Sequence, residues 1–193
     1  MSTDKTSEPT SRGVMARICA GFRRFVRNKE GSTAIEFVAL AIPFSLLVFA
    51  ILESCISFAA QEVLANATDD VARQLRTGQL KASAVNVTSL KKLICDRLDI
   101  VVAQGCPDLV VDLREFPTFA AAAAVKFKLT SDKDIDTTGF DVKPGKSMSK
   151  NMLRVFYRWP VMTDFMSKSM SNLKDGKTLH YAAITWQNEP FDD

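Results

Sequence analysis

No stretch constrains this chain more than residues 37–52, Phe-Val-Ala-Leu-Ala-Ile-Pro-Phe-Ser-Leu-Leu-Val-Phe-Ala-Ile-Leu, sixteen residues without a charge. As a helix they cover ~24 Å, short of a hydrocarbon core of ~30 Å. Residues 54–60 are also uncharged, so carrying the helix through Glu53 to Ala60 brings the span to ~36 Å. The segment can therefore cross a bilayer over about residues 37–60, with Glu53 near the far interface and snorkelling outward. Pro43 lies inside the run, where it removes one helical hydrogen bond and is expected to kink or loosen the stem. Membrane helices tolerate this better than soluble ones.

Charge sets the expected orientation. Residues 1–31 hold seven Lys/Arg against Asp4, Glu8 and Glu30, a net of +4, while the remainder holds 18 basic and 19 acidic residues, a net of −1. A basic arm on the N-terminal side of an apolar run places that side in the cytoplasm and the C-terminal side outside. The downstream part has no basic excess to suit nucleic acid. Once the stem is subtracted from 193 residues, there is room for one modest domain.

The helix is expected to continue beyond the membrane. Leu64, Ala67, Val71 and Leu75 form an apolar stripe, Asp69 and Arg73 pair at i,i+4, and Gly78 fits a C-cap. Residues 32–78 thus read as one helix, potentially a rod of ~69 Å from Ser32 to Thr77. A second helix carries Leu90, Leu93, Ile94, Leu98 and Val101 on one face, with Ser89 as a candidate N-cap, and ends by Gly105-Cys106-Pro107. Strands are expected at 109–116, 154–159 and 178–188. The tract 119–125 is open between helix and strand, 125–129 looks like strand, and 130–150 reads as loop or hairpin. The fold class is α+β: a long N-terminal helix packed on a small antiparallel sheet, with one further short helix, in a domain of 79–193.

Chemistry-bearing motifs are sparse. Cys95 and Cys106 lie 11 apart; in an exported domain they read as a disulfide, in a cytosolic one as two buried thiols. Without CxxC spacing or nearby histidines they do not suggest zinc, and no metal or cofactor is expected. Phe140-Asp-Val-Lys-Pro-Gly145-Lys146-Ser147 ends like a phosphate-binding loop but has Phe140 where glycine is required, so it reads as a turn. Asp132, Asp134 and Asp136 match the first three carboxylates of a calcium loop, but Thr137 and Lys143 stand where Gly and Glu are needed. His180 is the only histidine, and it has no catalytic partner motif.

Immediately upstream of the run stands Gly31-Ser-Thr-Ala-Ile-Glu36-Phe37, behind Arg23, Arg24, Arg27 and Lys29. Thr33-x-x-Glu36 fits a capping box, which accounts for the carboxylate but not for the glycine or the basic arm. A cut after Gly31 would leave Ser32 with a free ammonium and Glu36 as fifth residue at the lipid edge, where a carboxylate wants a cationic partner. A neighbouring subunit's N-terminus could supply it.

This stretch resembles the prepilin-peptidase site of type IV pilin-like proteins. With its Glu-Phe and Pro-containing apolar run, it is similar to the TadE-like minor pilins (pseudopilins) of tight-adherence (Flp) pili. Val155-Phe-Tyr-Arg-Trp-Pro160 and Asn188-Glu-Pro-Phe191 resemble that family's late aromatic strand and C-terminal signature. The resemblance implies a processing site at Gly31, Ser32, Glu36 and Phe37, and an assembly contact at Glu36. It implies a cleaved cytoplasmic leader, 1–31, and a single-pass inner-membrane protein with a periplasmic domain. Its partners would be the prepilin peptidase, the major and other minor pilins, and the inner-membrane assembly platform, with no catalysis of its own.

A rival reading starts from Ser57-Phe-Ala59 before Ala60, which satisfies the small-x-small rule of signal peptidase. It would release, or leave tethered, an exported periplasmic binding or enzymatic domain. A titratable pocket around His180 or Asp112 would favour it.

Overall fold

The computed structural model describes residues 32–192. Gly31, the rest of the basic leader and Cys19 lie outside the described residues. The chain divides into a unit ending at Phe49 and a second unit, Ala50–Asp193. Helix α1, Ser32–Arg76, belongs to both and continues through Pro43 without interruption. In the first unit its large apolar side chains are exposed: Phe37, Leu40 and Phe44 at 71%, 73% and 66%. The helix is long and apolar enough to cross a membrane.

The second unit is an α+β domain. Four strands lie in the order β2-β1-β3-β4: β1, Leu109–Phe116, β2, Val142–Lys143, β3, Lys150–Pro160, and β4, Lys177–Gln187. The three long strands are antiparallel, running from Leu109 opposite Tyr157 to Phe116 opposite Lys150, and from Lys150 opposite Gln187 to Pro160 opposite Lys177. The sheet is mixed rather than purely antiparallel, because β2 pairs parallel to β1 at Leu113 and Val142. One face follows the alternation in the sequence. Leu109, Val111, Leu113, Leu153, Val155, Tyr157, Trp159, Ala182 and Trp186 pack there beneath Ala60, Leu64, Ala67, Val71, Ala72 and Leu75 of α1.

Helix α2, Val87–Leu98, adds Leu90, Ile94 and Leu98 to the same core. Its N-cap is Asn86 rather than Ser89. Asn86 Oδ1 accepts from the Ser89 N–H while Ser89 Oγ accepts from the Asn86 N–H, each at 2.9 Å, a reciprocal capping box. Cys95 of α2 is bonded to Cys106, just before β1, with the two Cα atoms 5.8 Å apart.

The opposite face is covered by 117–149. Phe119–Ala124 forms helix α3, capped by Thr118, which accepts from the Ala121 N–H. The strand expected at 125–129 is reduced to one bridge, Leu129 to Ile135. Phe127 instead meets Phe156 edge to face and Phe140 stacks on it, at 5.5 and 5.3 Å between ring centres. Helix α4, Asp164–Met170, lies between β3 and β4. To the one short helix expected, the domain thus adds α3, in the tract open between helix and strand, and α4.

Candidate functional site

The described residues begin one position after the expected cut. Ser32 is already helical, so Thr33 sits inside α1 rather than capping it. Glu36 is the fifth residue of α1, next to the exposed Phe37, and every described side chain from 33 to 40 is exposed. Helix and side chains leave Glu36 and Phe37 on a surface another molecule can meet.

The other end of the apolar run is fixed by polar residues that hydropathy alone places within or beside the lipid. Glu53, expected to snorkel outward, is 8% exposed. Its carboxylate accepts from the N–H groups of Met162 and Thr163 and from the Thr163 hydroxyl. One helical turn on, Ser57 Oγ lies 3.0 Å from His180 Nε2. One turn further, Gln61 donates to the Tyr181 carbonyl and accepts from the Tyr181 N–H, at 2.9 and 3.1 Å. Residues at i, i+4 and i+8 share one helix face, so Glu53, Ser57 and Gln61 form a polar row that sets the register of α1 on β4 and the loop before α4. Gln61 also occupies backbone groups on an edge strand that would otherwise be open. The signal available in sequence was the spacing of these three residues.

A second set of contacts holds the far end of α1. Gly78 has φ of +72° and lies against Phe191, so close that a Cβ there would fall 2.7 Å from the Phe191 ring. The Glu189 N–H donates to the Arg76 carbonyl at 2.9 Å, satisfying one of the groups a helix end leaves open. Asn188 is 4% exposed; its Oδ1 accepts from Trp186 Nε1 and its Nδ2 donates to the carbonyls of Gly145 and Lys146. The C-terminal Asn-Glu-Pro-Phe stretch is thus a latch on the helix. Gly145, in the phosphate-loop-like stretch, sits in the turn before β3, its N–H donating to Asn151 Oδ1 at 2.7 Å.

The remaining titratable candidates are tied into structure. Asp112 is fully buried on the second sheet face, with Oδ2 accepting from Arg154 Nε and Nη2 at 2.9 and 2.6 Å and Oδ1 accepting from the Asp141 N–H. The Arg154 guanidinium lies 5.1 Å from the Phe140 ring centre, and its Nη1 is the one buried side-chain polar atom among the described residues without a hydrogen-bond partner. His180 is 5% exposed and stacks on Trp159 at 5.3 Å; burial pushes its imidazole down to about 4. In the acidic turn, burial opposes the charge of Asp134, but Arg158 and Lys174 overcome this and hold the carboxyl at about 2. A cavity of about 560 Å³ is lined by Val87, Lys91, Cys95, Asp99, Gly105 and Cys106 and includes neither His180 nor Asp112. Cys95, Asp99 and Cys106 gather there, but with the two sulfurs bonded to each other they offer no thiolate to a metal.

Comparison with known proteins adds one finding. Residues 31–73 match the family model described as TadE-like protein. That segment starts at Gly31, takes in Glu36, Phe37 and the apolar run, and extends to Arg73 on α1. No curated protein and no solved structure matches the chain.

Proposed function

We propose that this TadE-like chain is a minor pilin, of the pseudopilin class, acting in assembly of a tight-adherence (Flp) type IV pilus. The observation that carries the reading is the Gly31-to-Phe37 motif at the head of an uninterrupted helix whose first twenty residues after Ser32 are almost wholly exposed and apolar. Residues 33–52 suffice to span the bilayer, ~30 Å of helix for ~30 Å of hydrocarbon. That places the boundary before Glu53, several residues short of Ala60. The basic leader stays cytoplasmic and the domain of 79–193 is periplasmic, in the inner membrane. A prepilin peptidase cuts after Gly31, and Glu36 then pairs with the Ser32 ammonium of a neighbouring pilin. The major pilin, other minor pilins and the inner-membrane platform are its partners, and the protein performs no catalysis itself.

The rival cut between Ala59 and Ala60 fits less well. Ala60 is 2% exposed in the domain core, and the cut would remove Glu53 and Ser57, the partners of Met162, Thr163 and His180. The test is N-terminal sequencing of the mature protein from host membranes, with a strain lacking the prepilin peptidase as control. A start at Ser32 that vanishes in the control, and loss of processing in Gly31→Ala, are the expected results. A start at Ala60 in both strains, or normal maturation of Gly31→Ala, overturns the reading.

A further inference from the structure

We propose that the loop and short helix of 161–170 form a second membrane contact, seated in the outer interface of the same bilayer that α1 crosses. The proposal rests on the spanning role of residues 33–52. Met162 and Phe165 are 70% and 67% exposed, three residues apart and flanking the start of α4. They are not free to take up any height along α1. The Glu53 carboxylate holds the Met162 and Thr163 N–H groups and the Thr163 hydroxyl, and Ser54 Oγ meets Met170 Sδ at 3.8 Å at the other end of α4. Thr163 also caps α4, so the anchor and the exposed pair form one local structure.

Glu53 directly follows Leu52, the last residue of the apolar run, which is itself 52% exposed. The loop is thereby fixed at the level where lipid-facing side chains give way to the domain. Apolar side chains held at that height enter the boundary between headgroups and acyl chains, where burying each adds to membrane affinity. Lys168, exposed one turn beyond Phe165, can place its ammonium among lipid phosphates while its stem follows the apolar surface. Continuity with the spanning helix favours lipid over a second protein chain as the occupant. The contact gives the domain two attachments to the membrane, the helix and a point beside it, which limits tilting of the domain about the helix.

The test uses the full chain, one molecule per nanodisc of phosphatidylethanolamine and phosphatidylglycerol, with Cys19 and Cys55 replaced by Ser and the Cys95–Cys106 bridge intact. A single environment-sensitive fluorophore is placed at Phe165→Cys, at Phe44→Cys in the apolar run, or at Lys143→Cys on β2. Spin-labelled lipids with shallow or deep nitroxides serve as quenchers. The expected result is shallow-label quenching at 165 about three-fold or more above that at 143, together with deep-label quenching at 44. Quenching at 44 without any at 165 overturns the proposal and leaves the span standing. A blue-shifted but unquenched label at 165 means protein rather than lipid covers it, and also overturns the proposal. Absence of quenching at 44 removes the spanning helix and the second contact with it.

Discussion

His180 is held neutral by its surroundings. The ring lies against Trp159 and its Nε2 meets Ser57, and burial moves its pKa from 6.5 to about 4. An unfolded chain takes up a proton as pH falls below 6.5, whereas the folded chain resists until about 4. The stability this difference contributes is therefore complete above 6.5 and is lost as pH falls toward 4, at up to ~1.4 kcal/mol per pH unit. Replacing the ring in His180→Gln keeps a hydrogen-bonding group opposite Ser57 and removes the titration. Urea unfolding of the full chain in detergent micelles, followed by tryptophan fluorescence, checks this. Between pH 7.5 and 5.0 the variant is expected to lose ~2 kcal/mol less than the native chain; identical losses would show that His180 does not govern this range. The sequence marked His180 only as a lone histidine without a catalytic partner motif, and its burial was not legible. That burial depends on Ser57, 123 positions away. Asp112 was equally obscure, since an acid on the alternate face of a strand usually reads as exposed, and it is Arg154, Arg114 and the Asp141 N–H together that make its burial tolerable.

Among the elements, the long helix and α2 were readable because period and burial coincide in them, and the three long strands because their apolar residues alternate onto the face beneath α1, although β3 is buried on both faces. Leu64, Ala67, Val71 and Leu75 recur at helical spacing, and Leu109, Val111 and Leu113 alternate. The cover of 117–149 has no period to read, because it packs as a layer of loop and short helix held by Phe127 and Phe140. The closing latch on α1 was half legible, with Gly78 apparent as a helix end and Phe191 only as part of a family signature. Gly78 must be glycine for two reasons, a φ of +72° and the Phe191 ring where a Cβ would stand. Gly78→Ala is expected to cost about 1–2 kcal/mol. Phe191→Ala removes the steric conflict but not the backbone one, so the double variant should be more stable than the sum of single losses implies, with a coupling of ~0.5 kcal/mol or more. Equilibrium unfolding of the three variants gives the cycle, and strict additivity would show that ring and glycine do not meet in solution.

At the scale of the whole chain, one helix is apolar and long enough to cross a membrane in its first part and packs on the domain in its second, and its polar residues divide accordingly. Glu53, Ser57 and Gln61 are satisfied by the domain. From sequence alone that row could not be told from the lipid edge, because hydropathy records the loss of charge and not what a residue touches. Glu36 stands at the other end, beside Phe37, which is 71% exposed. Holding an ionised carboxylate within a membrane helix costs roughly 3 kcal/mol by insertion scales, less near the interface. A pilin packed in a polymer recovers that cost if a neighbour's Ser32 ammonium meets the carboxylate, and the pairing also fixes the axial offset between adjacent helices. Glu36→Ala removes the cost and the pairing together. Membrane insertion, measured by carbonate-resistant membrane fractionation, should therefore be unchanged or improved. Assembled pili, counted by microscopy and by shearing from cells, should fall about ten-fold or more, the factor expected from losing a single charge pair of ~1.4 kcal/mol. Glu36→Asp keeps the charge but draws it back by one methylene, and should fall between the two. Pili at native abundance in Glu36→Ala would mean that the carboxylate sets no register, and that helix packing alone carries assembly.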